Sequence, residues 1–125
     1  MAQREAGDSL RSLIEEHLSG WTSIERFAGE VIYSTPELID VLVKHKGVIG
    51  YAPLSMAKPA GLTIFKLDGV VASPENVARH TYPLLTPFAL VWKGELKGVA
   101  KDFVDYLFSP QGQKIIMDNG AVPAS

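Results

Sequence analysis

Residues 30–52 read as strand, helix and strand with almost no chain to spare between them, and no other stretch restricts the fold so tightly. Glu30-Val31-Ile32-Tyr33-Ser34 is a short β-type run. Thr35-Pro36-Glu37 then opens a helix: Thr35 suits the N-cap, Pro36 the first helical position, and Glu37 the positive end of the dipole. Leu38, Ile39, Leu42 and Val43 give this helix a buried face. Lys44, His45 and Lys46 fill its last turn, and Gly47 fits the position just past the end. Val48-Ile49-Gly50-Tyr51-Ala52 is the next strand. Strands joined this way through a helix pair in parallel, so the expected fold class is α/β: a mixed, mostly parallel sheet flanked by helices.

Upstream, Arg4-Glu5-Ala6-Gly7-Asp8-Ser9-Leu10-Arg11 reads as a tight glycine-containing turn running into the first turn of a helix. Such a turn aims free backbone N–H groups, a hydroxyl and the positive end of a helix dipole at one spot, which is the physics of an anion site. Leu10, Leu13, Ile14 and Leu18 continue at helical spacing, and Gly20 stops the helix. A strand usually precedes a turn of this kind. Here only Met1-Ala2-Gln3 do, from which we expect a piece excised from a longer protein, with Met1 an added start.

The remainder alternates in the same manner. Trp21, Ile24 and Phe27 are expected to pack in a short connection. Leu62-Thr63-Ile64-Phe65-Lys66 reads as a strand followed by an Asp68-Gly69 turn. Ser73-Pro74-Glu75 starts a short helix ending near His80. Phe88-Ala89-Leu90-Val91-Trp92 is the strongest apolar strand in the chain. Val99, Phe103, Val104 and Leu107 define an amphipathic helix. Ser109-Pro110 begins another, with Ile115, Ile116 and Met117 facing inward and Gly120 closing it.

The bulk properties exclude several function classes. With 125 residues, 46% of them hydrophobic and 21% charged, one globular domain spanning 1–125 is expected. A formal net charge of -2 with no basic block argues against nucleic acid as a partner. There is no cysteine, hence no disulfide, thiolate metal site or cysteine nucleophile. His17, His45 and His80 lack metal-ligand spacing, so no metal is expected. No cofactor fingerprint and no nucleophile–base constellation is present, so neither a cofactor nor an enzyme is expected. The N-terminus carries no signal-peptide pattern.

Four pieces, in order, resemble one family. Arg4-Glu5-Ala6-Gly7-Asp8-Ser9 resembles the Arg-x-x-Gly-Ser-Gly-Thr-type turn of phosphate ABC-transporter substrate-binding proteins, whose fold is of the periplasmic-binding-protein type. Gly47-Val48-Ile49-Gly50-Tyr51 resembles their Gly-x-Ile-Gly-Tyr strand. Residues 70–83 resemble their segment ending in Tyr-Pro, and residues 103–123 their Ser-Pro-x-Gly-Gln helix and closing Gly-x-Val-Pro. The resemblance implies two α/β lobes with the ligand held in the cleft between them. It implies that 4–81 form the second lobe and 82–125 the return crossing strand and C-terminal helices, with the first lobe upstream. It further implies an extracytoplasmic location, a membrane permease as partner, and capture of phosphate or a similar small oxyanion without chemistry. The alternative is an extracytoplasmic sensor of the same fold. Apolar surface left uncovered on the return strand and last helices would favour self-association.

Each candidate ligand residue has a plain structural reading beside the functional one. Arg4 offers a fixed charge and a two-pronged donor, or is a solvated arginine near a terminus. Gly7 allows close approach of the backbone to a ligand, or simply turns the chain. Ser9 donates its hydroxyl and N–H, or caps the helix. Asp8 stands where the family more often has Ser, and Leu10 where Thr is usual. A carboxylate repels a bound anion unless the ligand carries a proton, as hydrogen phosphate does and sulfate does not; otherwise Asp8 is the N-cap. Arg11, one turn in, reaches the anion or solvent. Ser34 and Thr35 form a second strand-end and helix-start of the same type. Tyr51 and Tyr82 line the cleft or pack in the core or hinge.

Overall fold

The computed structural model describes residues 1–25 and 28–123. Its centre is a parallel pair, β1 (Ala2–Arg4) and β2 (Glu30–Ile32), in the register Ala2↔Glu30, Gln3↔Val31, Arg4↔Ile32. A parallel pair needs a long crossover, and α1 (Ser9–His17) with a 3₁₀ turn at Trp21–Ser23 supplies it. The chain then leaves β2 directly into α2 (Thr35–Lys44). Both strands therefore end at the same edge, and both following helices begin there. The residues before the opening turn do form the strand that such a turn requires.

The core sits beneath this edge. Ala2, Ile32 and Leu38 are buried together, and half-buried Val41, Leu42, Val48 and Ala52 pack against them. Ile14 is the buried residue of α1, as its helical spacing predicts. Phe27 lies outside the described residues.

Three expected strands are not paired as strands. At 48–52 there is no ladder, but the Ala2 N–H donates to the Ile49 carbonyl at 2.8 Å, so this stretch runs alongside β1. Residues 62–66 and 88–92 form neither helix nor strand. Apolar runs report a need for burial and do not specify the partner; Phe88 is 93% and Val91 92% exposed. The sheet is thus a two-stranded parallel pair. The Leu67↔Val70 antiparallel bridge closes a turn in which Asp68 and Gly69 both have positive φ, as that dipeptide favours.

Local signals place the remaining helices. They are α3 (Leu54–Ala57), α4 (Pro74–Ala78), α5 (Gly98–Leu107) and α6 (Pro110–Asp118). Ser73 caps α4 by accepting from the Asn76 N–H, and Ser109 caps α6 by accepting from Gly112. Gly120 at φ 83 ends α6: its N–H and that of Ala121 reach the Met117 and Ile116 carbonyls, the paired bonds of a Schellman motif. On α6, Ile116 is half-buried, whereas Ile115 and Met117 are exposed, contrary to the spacing-based expectation. The helix meets α5 through Gly112, so its apolar stripe is only partly covered. The accessible surface of 9192 Å² exceeds the roughly 6,600 Å² typical of a compact chain this long.

Candidate functional site

The two strand-to-helix junctions meet at the carboxyl edge of the parallel pair, the edge where open α/β sheets place ligands. At the first, Arg4 ends β1, Gly7 at φ 89 turns the chain, and Asp8 adopts extended backbone as the N-cap of α1. Asp8 Oδ1 accepts from the N–H groups of Leu10 and Arg11, both at 3.0 Å. Its Oδ2 lies 3.2 Å from Arg4 Nη2. At the second junction, Ser34 caps α2, its Oγ accepting from Glu37 N–H at 3.4 Å.

Arg4 ties the junctions together. Its guanidinium is largely buried and engaged on every nitrogen. Nε and Nη2 form a fork with Glu5 Oε2 and Oε1 at 2.9 and 3.1 Å. Nη1 donates to Thr35 Oγ1 at 2.7 Å, and Nη2 to the Tyr33 carbonyl at 3.2 Å. The Glu5 hydrogen bond, helped by the Asp8 and Glu5 charges against the cost of burial, raises the Arg4 pKa and secures its charge. Glu5 is held below the ordinary glutamate range by the same bond.

The backbone of Arg4 is engaged as well. Its N–H donates to Tyr51 Oη at 3.0 Å, and its carbonyl accepts from Arg11 Nη1 at 3.2 Å. Arg11 Nε in turn pairs with Glu15 Oε1 at 2.7 Å, which raises the arginine's pKa. The Tyr51 ring stands edge-on to Trp21, with centroids 6.2 Å apart, and burial raises the phenol's pKa.

The fold thus brings Arg4, Asp8, Arg11 and Thr35 into one bonded cluster, with Ser34 beside Thr35 and Gly7 in the turn. Ser9 is exposed at the first position of α1, and Asp8, not Ser9, is the cap. Thr35 is likewise the first helical residue of α2, and the cap is Ser34, one residue earlier than its sequence suggests. That shift frees the Thr35 hydroxyl to accept from Arg4. Space is open above Gly7, where a side chain would meet nothing within 4 Å.

Glu5 and the Tyr33 carbonyl were not singled out from sequence, and for Tyr51 the sequence offered cleft lining or core or hinge packing. Glu5 could have been suspected as the acidic neighbour of a buried arginine; the other two contacts come from distant parts of the chain. Among the described residues no group of His, Cys, Asp and Glu is placed to hold a metal ion. A cavity of about 570 Å³ lies at the far end of α1, lined by His17, Leu18, Trp21, Leu67 and Pro83.

A parallel strand pair with two helix starts converging on a buried arginine is an α/β architecture of the periplasmic-binding-protein type, and solved structures bear this out. A Clostridium perfringens protein, described as a phosphate ABC transporter substrate-binding protein and solved with bound phosphate, superposes with a TM-score of 0.81 at 25% identity. A phosphate-binding protein of a phosphate ABC transporter from Streptococcus pneumoniae TIGR4 gives 0.63 at 28%. Each match covers 99% of this chain and 51% of the other.

In sequence, phosphate-binding protein PstS 2 of the same S. pneumoniae strain is 34% identical over 92 residues, 73% of this chain and 31% of that protein. PstS of Bacillus subtilis is 36% identical over 86 residues, 68% of this chain and 29% of its own length. No family model matches the chain. The chain belongs to the phosphate ABC-transporter substrate-binding proteins, and it spans about a third of the length of the curated relatives it matches.

Proposed function

We propose that the protein captures phosphate, or a similar small oxyanion, as the solute-binding component of an ABC transporter. In this reading 4–81 supply the second lobe of a two-lobed cleft, and 82–125 the return crossing strand and C-terminal helices. The observation that carries it is the parallel register, which sets the Arg4–Arg11 turn and the Ser34–Thr35 junction side by side. Arg4, Gly7, Asp8, Ser9, Arg11, Ser34 and Thr35 form this jaw. The two helix starts and Arg4 supply attraction, and closure of the opposite lobe supplies retention.

No bond is made or broken, in keeping with relatives that are binding proteins. The reading carries a membrane permease as partner and an extracytoplasmic location. Transport is the role that the structural relatives' descriptions support; none of those described here speaks for a sensor.

One jaw holds only part of the donor set, so this chain alone binds inorganic phosphate weakly, with Kd roughly millimolar. Titration of the amide-labelled chain followed by NMR is expected to shift the Gly7, Ser9 and Thr35 signals together. Absence of shifts at high phosphate, or tight stoichiometric binding by calorimetry, overturns the one-jaw reading.

A further inference from the structure

We infer that the Asp8 carboxylate is a tethered competitor: an anion of the chain's own that occupies the cradle and lowers its affinity for a free oxyanion. The inference rests on the oxyanion reading above. An anion at this jaw needs two kinds of donor, backbone N–H groups at the start of α1 and the Arg4 guanidinium. Asp8 takes both. Oδ1 accepts from Leu10 and Arg11 N–H at 3.0 Å, while Oδ2 sits 3.2 Å from Arg4 Nη2.

The local charge has the same sense. Arg4 faces Glu5 and Asp8, and Arg11 is paired with Glu15, so two guanidiniums stand among three carboxylates and the cluster is net negative. An incoming anion must displace Oδ2 from Arg4 and meet a carboxylate that remains within the turn. Both Arg4 and Asp8 side chains are about nine-tenths buried, so solvent screens this repulsion little. Capping alone does not account for the arrangement. A serine hydroxyl caps a helix as well as a carboxylate does, carries no charge, and would leave the side of Arg4 Nη2 that Asp8 Oδ2 now faces without a carboxylate.

That equivalence supplies the test. Asp8→Ser and Asp8→Asn keep a capping oxygen and remove the charge, so both variants should fold; circular dichroism melts check this. Wild type and both variants are titrated with inorganic phosphate, and separately with sulfate. The expected result is at least about tenfold tighter binding of both anions by both variants, because a like charge beside a bound ion costs more than one factor of ten.

Equal phosphate affinity in all three proteins overturns the inference and leaves the oxyanion reading standing. Weaker phosphate binding with stronger sulfate binding in the variants also overturns it, since Asp8 is then an acceptor for the ligand's proton. No binding of either anion by any of the three folded proteins overturns both readings.

Discussion

Arg4 Nη1 donates to Thr35 Oγ1 at 2.7 Å across 31 residues of sequence, and this bond joins the ends of both strands of the sheet. A charged, buried donor left without its acceptor costs more than the bond contributes. Thr35→Val keeps the shape, removes the acceptor, and is expected to destabilise the chain by about 1–2 kcal/mol. Thr35→Ser keeps the hydroxyl and should cost far less. Urea unfolding with an unchanged slope measures both. No difference between Val and Ser would show that Glu5, Asp8 and the Tyr33 carbonyl hold Arg4 without the threonine.

The Arg4–Glu5 fork also predicts a pH dependence. Glu5 titrates below the ordinary glutamate range in the folded chain, chiefly through its hydrogen bond to Arg4. Its contribution is therefore fully present above the unfolded-state pKa and is lost as pH falls through the lower, folded value. Thermal melts from neutral pH down to about pH 3 should show Tm falling on the acid side. Glu5→Gln, which cannot ionise, should flatten that limb. Identical pH profiles for the two proteins would assign the acid limb to other carboxylates, Glu75 among them, which is lowered by hydrogen bonds at the start of α4.

Gly112 sets how closely α5 and α6 approach. It is buried, and an added Cβ would stand far inside contact distance of the Tyr106 carbonyl oxygen and 2.9 Å from Leu107 Cα. These are backbone atoms that cannot rotate away. Gly112→Ala is expected to cost about 1–3 kcal/mol despite alanine's better helix propensity. A rise in Tm would mean that the helices separate without loss and that their contact carries little stability.

What was legible in the sequence was local. Ser73-Pro74 and Ser109-Pro110 were read as helix starts because a cap, a proline and a free N–H lie within four residues of one another. The buried face of α1 followed from spacing. The Ser34 cap was misplaced by one residue because Ser34 and Thr35 are equally capable caps, and only the distant Arg4 decides which hydroxyl is used elsewhere.

Residues 88–92 and 62–66 were read as strands because apolar β-formers signal burial, but they do not name the neighbour to pair with. The opening turn was legible as an anion-type turn. That Asp8 would bridge Arg4 and the α1 N–H groups was not, since the pairing depends on how β1 presents the arginine.

The apolar residues beyond 88 carry the last prediction. Phe88, Val91, Val99 and Phe103 are exposed, and the total surface, polar and apolar together, exceeds that of a compact chain of this length by roughly 2,600 Å². Exposed apolar side chains in such number are unfavourable in water, and copies of one chain in solution can cover them mutually. The 125-residue chain studied alone should therefore self-associate, with light-scattering mass rising with concentration. Val91→Glu and Phe103→Glu place charge on the patch and should each move the population toward monomer. Both side chains point largely to solvent, so neither change empties a core and helix content should hold. A wild-type chain that stays strictly monomeric at high concentration would show that 88–117 folds back on the chain and covers its own apolar face.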